Sequence, residues 1–313
     1  SRRARAARPS MRRWPRRWCE MPHPSLSQWI WLGAIAFLGA LVNGVLGHGF
    51  STLSVPLALV IVSQRVLNPV LVLLEVALNG GSFLVSRRAF RPVWPRVRVF
   101  AFALLPGVLL GALTLRFALP SSLRLFTYAL LMPLVLFQAF GLKRAWSGER
   151  KQAVPFGLAT GLIYGLTTVS GPVLSAYFHQ HDYEKQEYRA AISFLRLVES
   201  VATALAYLAL GLFTPTTLKA ALPLLPVVLL GLWIGARLLR WFSQEAFRHF
   251  CIVFNAFAVS FGLAKLLGAS SSLPAWALRA GWITLTAAVL ASRFRRRQAP
   301  PSTPPSELAE ELT

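Results

Sequence analysis

Three ionisable residues sit inside long apolar stretches: Glu75, Arg196 and Glu199. A charged side chain in such a stretch is costly, so it marks either a path for ions or an internal ion pair. Arg196 and Glu199 are three positions apart and share one face of a helix. A guanidinium presents several donors to an anion, and a carboxylate can carry a proton. The residues therefore predict that Arg196 attracts an anion while Glu75 or Glu199 carries a coupling proton. They equally allow an Arg196–Glu75 or Arg196–Glu199 ion pair that only holds a bundle together. Asn79 follows Glu75 by one turn. Arg189 lies at the mouth of the Arg196 stretch, as a gate for an anion or an anchor on lipid headgroups.

Two glycine-rich interruptions supply a second kind of site. The first runs Asn43-Gly44-Val45-Leu46-Gly47-His48-Gly49-Phe50-Ser51-Thr52 with Pro56 beyond it. The second runs from Thr160 through Tyr164, Thr167, Thr168 and Ser170 to Gly171-Pro172. Glycine costs a helix interior about 1 kcal/mol and proline about 3. Backbone freed in this way is tolerated at membrane depth only when it is buried in protein or lines a wet cavity. The N–H groups of a half-helix N-terminus there can hold an anion. The hydroxyls of Ser51, Thr52, Thr167, Thr168 and Ser170 would add donors, as would the Tyr164 hydroxyl and the His48 imidazole. Close helix packing through small residues is the alternative reading of the glycines.

Other chemistries find little support. Cys19 and Cys251 are isolated and give neither metal-ligand spacing nor a disulfide framework. His179-x-His181 beside Asp182 has the look of a metal cluster but reads better as a loop at the membrane surface. No Gly-rich phosphate loop with its lysine is present, so ATP hydrolysis is not expected. No cofactor or metal is expected either.

The elements that must position these residues are membrane spans. Of 313 residues, 55% are hydrophobic and 14% charged, with a mean hydropathy of +0.53. Soluble domains carry about 25% charged residues, so a polytopic all-α membrane protein is expected. A span needs about 20 apolar residues. Eight stretches qualify: 28–47, 67–86, 99–118, 123–142, 154–178, 189–211, 217–238 and 248–268. The run 50–63 is too short to cross and suits a re-entrant half-helix, and 274–291 is a candidate ninth span despite Arg279. The net charge of +22 does not point to nucleic acid, because the basic residues flank apolar stretches. Eight arginines precede residue 18, although translation from Met11 or Met21 would remove some or all of them. With these spans, the leader, the loop Arg87–Arg98 and the hinge Lys143–Lys151 fall on one side. The positive-inside rule then places the N terminus in the cytoplasm.

The chain also repeats itself. Leu104-Leu105-Pro106-Gly107-Val108-Leu109-Leu110-Gly111 returns 120 residues later as Leu224-Leu225-Pro226-Val227-Val228-Leu229-Leu230-Gly231, identical at seven of eight positions. Two pseudo-symmetric repeats of four helices are expected over 28–145 and 153–268, each opening with a broken helix. A basic leader (1–27), a hinge (146–152) and a C-terminal hydrophobic segment with a disordered tail (269–313) complete the organisation. Corresponding interruptions in two halves are the pattern of secondary transporters.

The residues Gly44-x-x-Gly47-x-Gly49 with Val55-Pro56, Ser170-Gly171-Pro172 with Tyr177, Lys185, Arg189-Ala190 and the paired Leu-Leu-Pro segments resemble the sulfite exporter TauE/SafE family. The resemblance covers about Trp29–Gly268. It implies two four-helix repeats, re-entrant hairpins at the repeat starts, and transport of small sulfur-containing anions across a bacterial-type inner membrane. A family with a glycine run at the first break differs from the Gly47-His48-Gly49-Phe50 found here. The expected activity is thus that of a permease for sulfite, a sulfonate or a related oxyanion, working by alternating access, driven by a gradient of protons, of sodium or of the substrate itself. A membrane-embedded enzyme or a scaffold on anionic lipid are the competing classes.

Overall fold

The computed structural model describes residues 26–118, 148–178 and 183–238, with most of 122–133 and positions 181 and 284. Every regular element among these residues is helical: α1 (Leu26–Leu46), α2 (Phe50–Ala58), α3 (Gln64–Ser86), a 3-10 turn (Arg87–Ala89), α4 (Trp94–Phe117), α5 (Glu149–Thr167), α6 (Gly171–Phe178), α7 (Lys185–Ala209) and α8 (Pro215–Leu238). Five of the described helices, α1, α3, α4, α7 and α8, are long and apolar enough to cross a membrane. Their outward positions are large and apolar, among them Phe102, Phe117, Leu205, Leu222 and Trp233, each more than half exposed. Such a surface is a solvent mismatch in water and a match in lipid.

Local chemistry sets the helix ends. α7 starts with a capping box, in which Glu184 caps the first turn and its own backbone N–H donates to Glu187 Oε2 at 3.4 Å. α4 opens with Pro95 in its first turn, where a missing N–H costs nothing. Gly49 precedes α2 at φ 113°, a backbone setting that a side chain would resist. Thr168 ends α5 at φ 61° and is the only described non-glycine residue with positive φ. A β-branched residue there is a true outlier.

Glycines decide which helices touch. Gly107 and Gly111 of α4 meet Gly161 and Gly165 of α5 so closely that any Cβ would run into the facing backbone, at Leu158 O, Leu162 O, Leu104 O or Val108 O. Gly231 and Gly235 of α8 meet α1 in the same way at Phe37 O and Leu41 O. The Leu-Leu-Pro-rich segments noted in the sequence are therefore the docking faces of α4 and α8. Gly44 belongs to this packing: its missing side chain accommodates Leu232 O and Ala236 N of α8.

Two hairpins enter the bundle from opposite ends. α2 folds back along α1: Ser54 Oγ donates to Ile35 O at 3.5 Å, and Trp29 and Leu32 share a cavity wall with Ala58, Val62 and Leu67. α3 therefore starts beside the start of α1. α6 folds back toward the start of α5, with the rings of Phe156 and Tyr177 at 5.5 Å. At one end Arg65 donates to Arg116 O (2.9 Å) and Ala118 O (2.6 Å), and Arg116 donates to Leu210 O (2.6 Å). At the other end Ser86 Oγ pairs with Ser193 Oγ at 2.8 Å, beneath a cluster of Phe83, Phe90, Trp94 and Phe194. α1 begins at the Arg65 end and α5 at the Ser86 end.

Three expectations change as a result. The stretch 154–178 is two helices joined by a turn, not one span, because Thr168-Val169-Ser170 leaves helical geometry. α5 starts at Glu149, inside the stretch read as a hinge. Residue 26 and the loop 87–93 lie at opposite ends, because α2 returns the chain to the end where α1 starts and α3 then crosses to Arg87. The stretches 134–142, 248–268 and 274–291, apart from Thr284, lie outside the described residues, as do residues 1–25 of the leader and the tail.

Candidate functional site

The two hairpin turns meet in the interior. The breaks are equal in length: Gly47-His48-Gly49 between α1 and α2, and Thr168-Val169-Ser170 between α5 and α6. A Cβ on Gly171, the first residue of α6, would stand 3.2 Å from Thr52 Oγ1 and 3.4 Å from His48 Cδ2. The N-terminal turns of α2 and α6 thus lie against one another. The first N–H groups of any helix have no partner within it, and their partial positive charge favours an anion.

Beside this junction, α3 and α7 cross at mid-length and bring the three interior charges together. Arg196 Nη2 donates to Glu75 Oε1 at 2.6 Å, with both side chains buried. Arg196 Nη1 donates to Ser170 Oγ at 3.0 Å, and Ser170 Oγ donates to Glu199 Oε2 at 2.7 Å. The Tyr164 hydroxyl donates to Glu75 Oε2, so both oxygens of Glu75 are occupied. Asn79 Nδ2 donates to Arg196 O at 3.2 Å and fixes the backbone behind the guanidinium. The second hairpin is pinned from α3 and α7: Gln64 Nε2 and Asn68 Nδ2 donate to Leu166 O at 3.0 and 2.8 Å, and the Tyr207 hydroxyl donates to Gly165 O at 2.7 Å.

Several buried polar atoms around this group make no hydrogen bond. They are both side-chain heteroatoms of Asn43, Ser51 Oγ, Thr52 Oγ1, Arg196 Nε, Glu199 Oε1 and Thr203 Oγ1. Each such orphan costs about 1–3 kcal/mol, so an arrangement that keeps this many calls for an occupant. Arg196, Glu199 and Thr203 follow one another at helical spacing along α7. Asn43, Ser51 and Thr52 come from the last turn of α1 and the first turn of α2.

The residues singled out in the sequence divide accordingly. Glu75, Tyr164, Ser170, Arg196 and Glu199 form one bonded group, and Asn43, His48, Gly49, Ser51 and Gly171 lie at or beside the hairpin junction. Gly47, at φ 77° with open space around it, makes the turn. Others serve the backbone. Gly44 is a packing glycine. Thr167 Oγ1 donates to Ile163 O and accepts Val169 N–H, and Thr168 Oγ1 donates to Thr167 O, so neither hydroxyl proton is left for a ligand. Tyr164 spends its proton on Glu75. Arg189, partly buried, lies two turns before Arg196 and takes no part in the bonded group. His181 packs its ring on Tyr177 at 4.8 Å, and no described trio of His, Cys, Asp or Glu could hold a metal ion; His179 and Asp182 lie outside the described residues. Thr203 was not singled out, though its place one turn beyond Glu199 was the signal that could have found it.

Over 187 residues the chain is 29% identical to a probable sulfite/organosulfonate exporter TauE of Cupriavidus necator, covering 58% of this chain and 69% of that protein. No solved structure matches. Residues 32–262 match the pattern described as sulfite exporter TauE/SafE. That family is one of transporters, which sets aside the reading of the interior charges as an enzyme site. With more than half of its length matched, the chain belongs to the sulfite exporter TauE/SafE family.

Proposed function

We propose that the protein is a permease for a small sulfur oxyanion, sulfite or an organosulfonate, held where the two hairpin turns meet. The observation that carries this reading is the Thr52–Gly171 junction. Two helix N-termini, a buried guanidinium and a set of unpartnered donors converge there, and an anion would satisfy them together. Arg196 supplies charge. The first-turn N–H groups of α2 and α6 supply directed donors, with Asn43, Ser51, Thr52 and His48 around them. Ser170 and Tyr164 hold Arg196 and Glu75 in place. Glu75 and Glu199 are the groups through which an ion gradient, of protons or sodium, would be coupled.

The topology supports a reading of alternating access. α1 runs parallel to α8, α5 runs parallel to α4, and α3 is antiparallel to α7. Halves related in this inverted manner can exchange conformations, opening the same site first to one side and then to the other. The loop charges suggest which side is which. Arg87, Arg88, Arg91, Arg150, Lys151 and Arg237 belong to the Ser86 end, against Arg65, Arg116 and Lys219 at the other. We assign the Ser86 end to the cytoplasm of a bacterial-type inner membrane. This reverses the orientation expected for α1, whose start then faces outward.

The test is flux of labelled sulfite and methanesulfonate into proteoliposomes. Protein-dependent flux of either, competed by the other, supports the reading. Equal flux with and without protein would remove these anions as substrates.

A further inference from the structure

We propose that the anion and a proton bind together, and that Glu199, not Glu75, carries the proton. The inference deepens the anion site proposed above and rests on it.

Among the described residues, the interior holds one guanidinium against two carboxylates. Glu75 is fully used: Arg196 Nη2 occupies Oε1 at 2.6 Å and the Tyr164 hydroxyl occupies Oε2. Glu199 is not. Ser170 donates to its Oε2 at 2.7 Å, and its buried Oε1 has no partner. Arg196 reaches Glu199 only through Ser170, whose oxygen accepts from Nη1 at 3.0 Å.

Among the described residues, the surrounding elements add no compensating cation. α3 contributes Glu75 and α5 contributes Tyr164. α6 offers Tyr177, which is packed against Phe100, Phe156 and Phe178. The charged residues of α4 are Arg96, Arg98 and Arg116, all near its ends. Arg87 and Arg88 of the 3-10 turn lie beyond the end of α3. Two further titratable groups lie close by: His48 of the first break, beside Gly171, and Tyr207 of α7, whose hydroxyl donates to Gly165 O at 2.7 Å.

An anion arriving at Arg196 therefore meets two like charges and one unlike charge. In a desolvated interior an unpaired charge neutralises rather than persists, and like charges at short range disfavour one another strongly. Protonating Glu199 on Oε1 removes the excess. It also converts the one unpartnered carboxylate oxygen into a donor. Each ligand then raises the affinity for the other by the same factor, and both cross together. A monovalent sulfonate with one proton crosses without net charge.

The experiment uses the full chain in liposomes containing a pH-sensitive dye, with methanesulfonate, which stays ionised throughout the range used, as the probe. Inward methanesulfonate flux should acidify the lumen, one proton per anion. Apparent affinity should fall about tenfold per pH unit on the alkaline side. Glu199→Gln should abolish the proton movement and flatten the pH dependence of methanesulfonate counterflow, and Glu199→Asp should retain both. Anion flux without proton flux, or a proton moving the opposite way, overturns co-binding and leaves the anion site standing. Proton movement that survives Glu199→Gln overturns the assignment to Glu199. Absence of protein-dependent flux of methanesulfonate and of sulfite overturns the anion site, and this inference with it. If Glu199→Gln does not fold, the proton stoichiometry of the unchanged protein and of Glu199→Asp still decides co-binding.

Discussion

Glu75 and Arg196 lie 121 positions apart and share a 2.6 Å bond at the crossing of α3 and α7. It is the only described ion pair with both partners fully buried. Removing one partner of a buried pair leaves a charge without a counter-ion and costs about 3–5 kcal/mol, whereas removing both can cost far less. Arg196→Gln and Glu75→Gln should each lower the melting temperature in detergent sharply. The double variant should recover much of the loss. Losses in the double variant equal to the sum of the singles would mean that the pair contributes no coupling.

The unpartnered hydroxyl of Thr52 separates function from stability. Its Oγ1 is buried without a hydrogen bond, close to Gly171. Replacing an unsatisfied buried group by an apolar one of equal shape is neutral or favourable. Thr52→Val should leave the melting temperature unchanged or raise it, while raising the KM for anion flux about tenfold. Unchanged transport would remove Thr52 from the site.

Helix approach gives a third expectation. A Cβ on Gly161 would collide with Leu104 O and lie 2.9 Å from Val108 N, whereas one on Gly33 meets nothing within 4 Å. Gly161→Ala should destabilise by about 1–3 kcal/mol, the usual cost of overpacking. Gly33→Ala should be silent or slightly stabilising, since alanine favours helix. Thermal unfolding followed by size-exclusion fluorescence distinguishes the two.

Much of this was legible in the sequence, for reasons that mark its limits. Glu75, Arg196 and Glu199 stood out because charge is rare in apolar stretches. The two breaks stood out because glycine and proline oppose helix. That Arg196 would choose Glu75 over Glu199, its neighbour on the same helix, was not legible. Ser170 sits between Arg196 and Glu199, and only the fold brings α3 alongside. Nor could local pattern reveal that Gly44 packs on α8 while Gly49 turns the chain: the two glycines differ in what lies opposite, not in their flanks. The spans α1, α3, α4, α7 and α8 follow from apolar length. The turn at Thr168 does not, because a threonine in the left-handed region runs against its own preference and is held there by tertiary contacts.

The Ser86 end offers the last expectation. The Arg96 guanidinium lies 3.7 Å from the centre of the Tyr183 ring and 3.8 Å from Glu187 Oε2, joining the start of α4 to the start of α7. Both charges are about one-third exposed, and such pairs contribute only about 0–1 kcal/mol. The contact is therefore too weak to hold the fold, yet it ties α4 to α7 at the end where Ser86 pairs with Ser193. If alternating access opens this end, the contact must break in every cycle, and weakening it should favour the open form. Arg96→Ala should leave the melting temperature within about 2 °C. It should also increase labelling of a cysteine placed at Ser193, in the order Arg96→Ala above the unchanged chain. Equal labelling rates in the two backgrounds would show that the Arg96–Glu187 contact is no part of a gate.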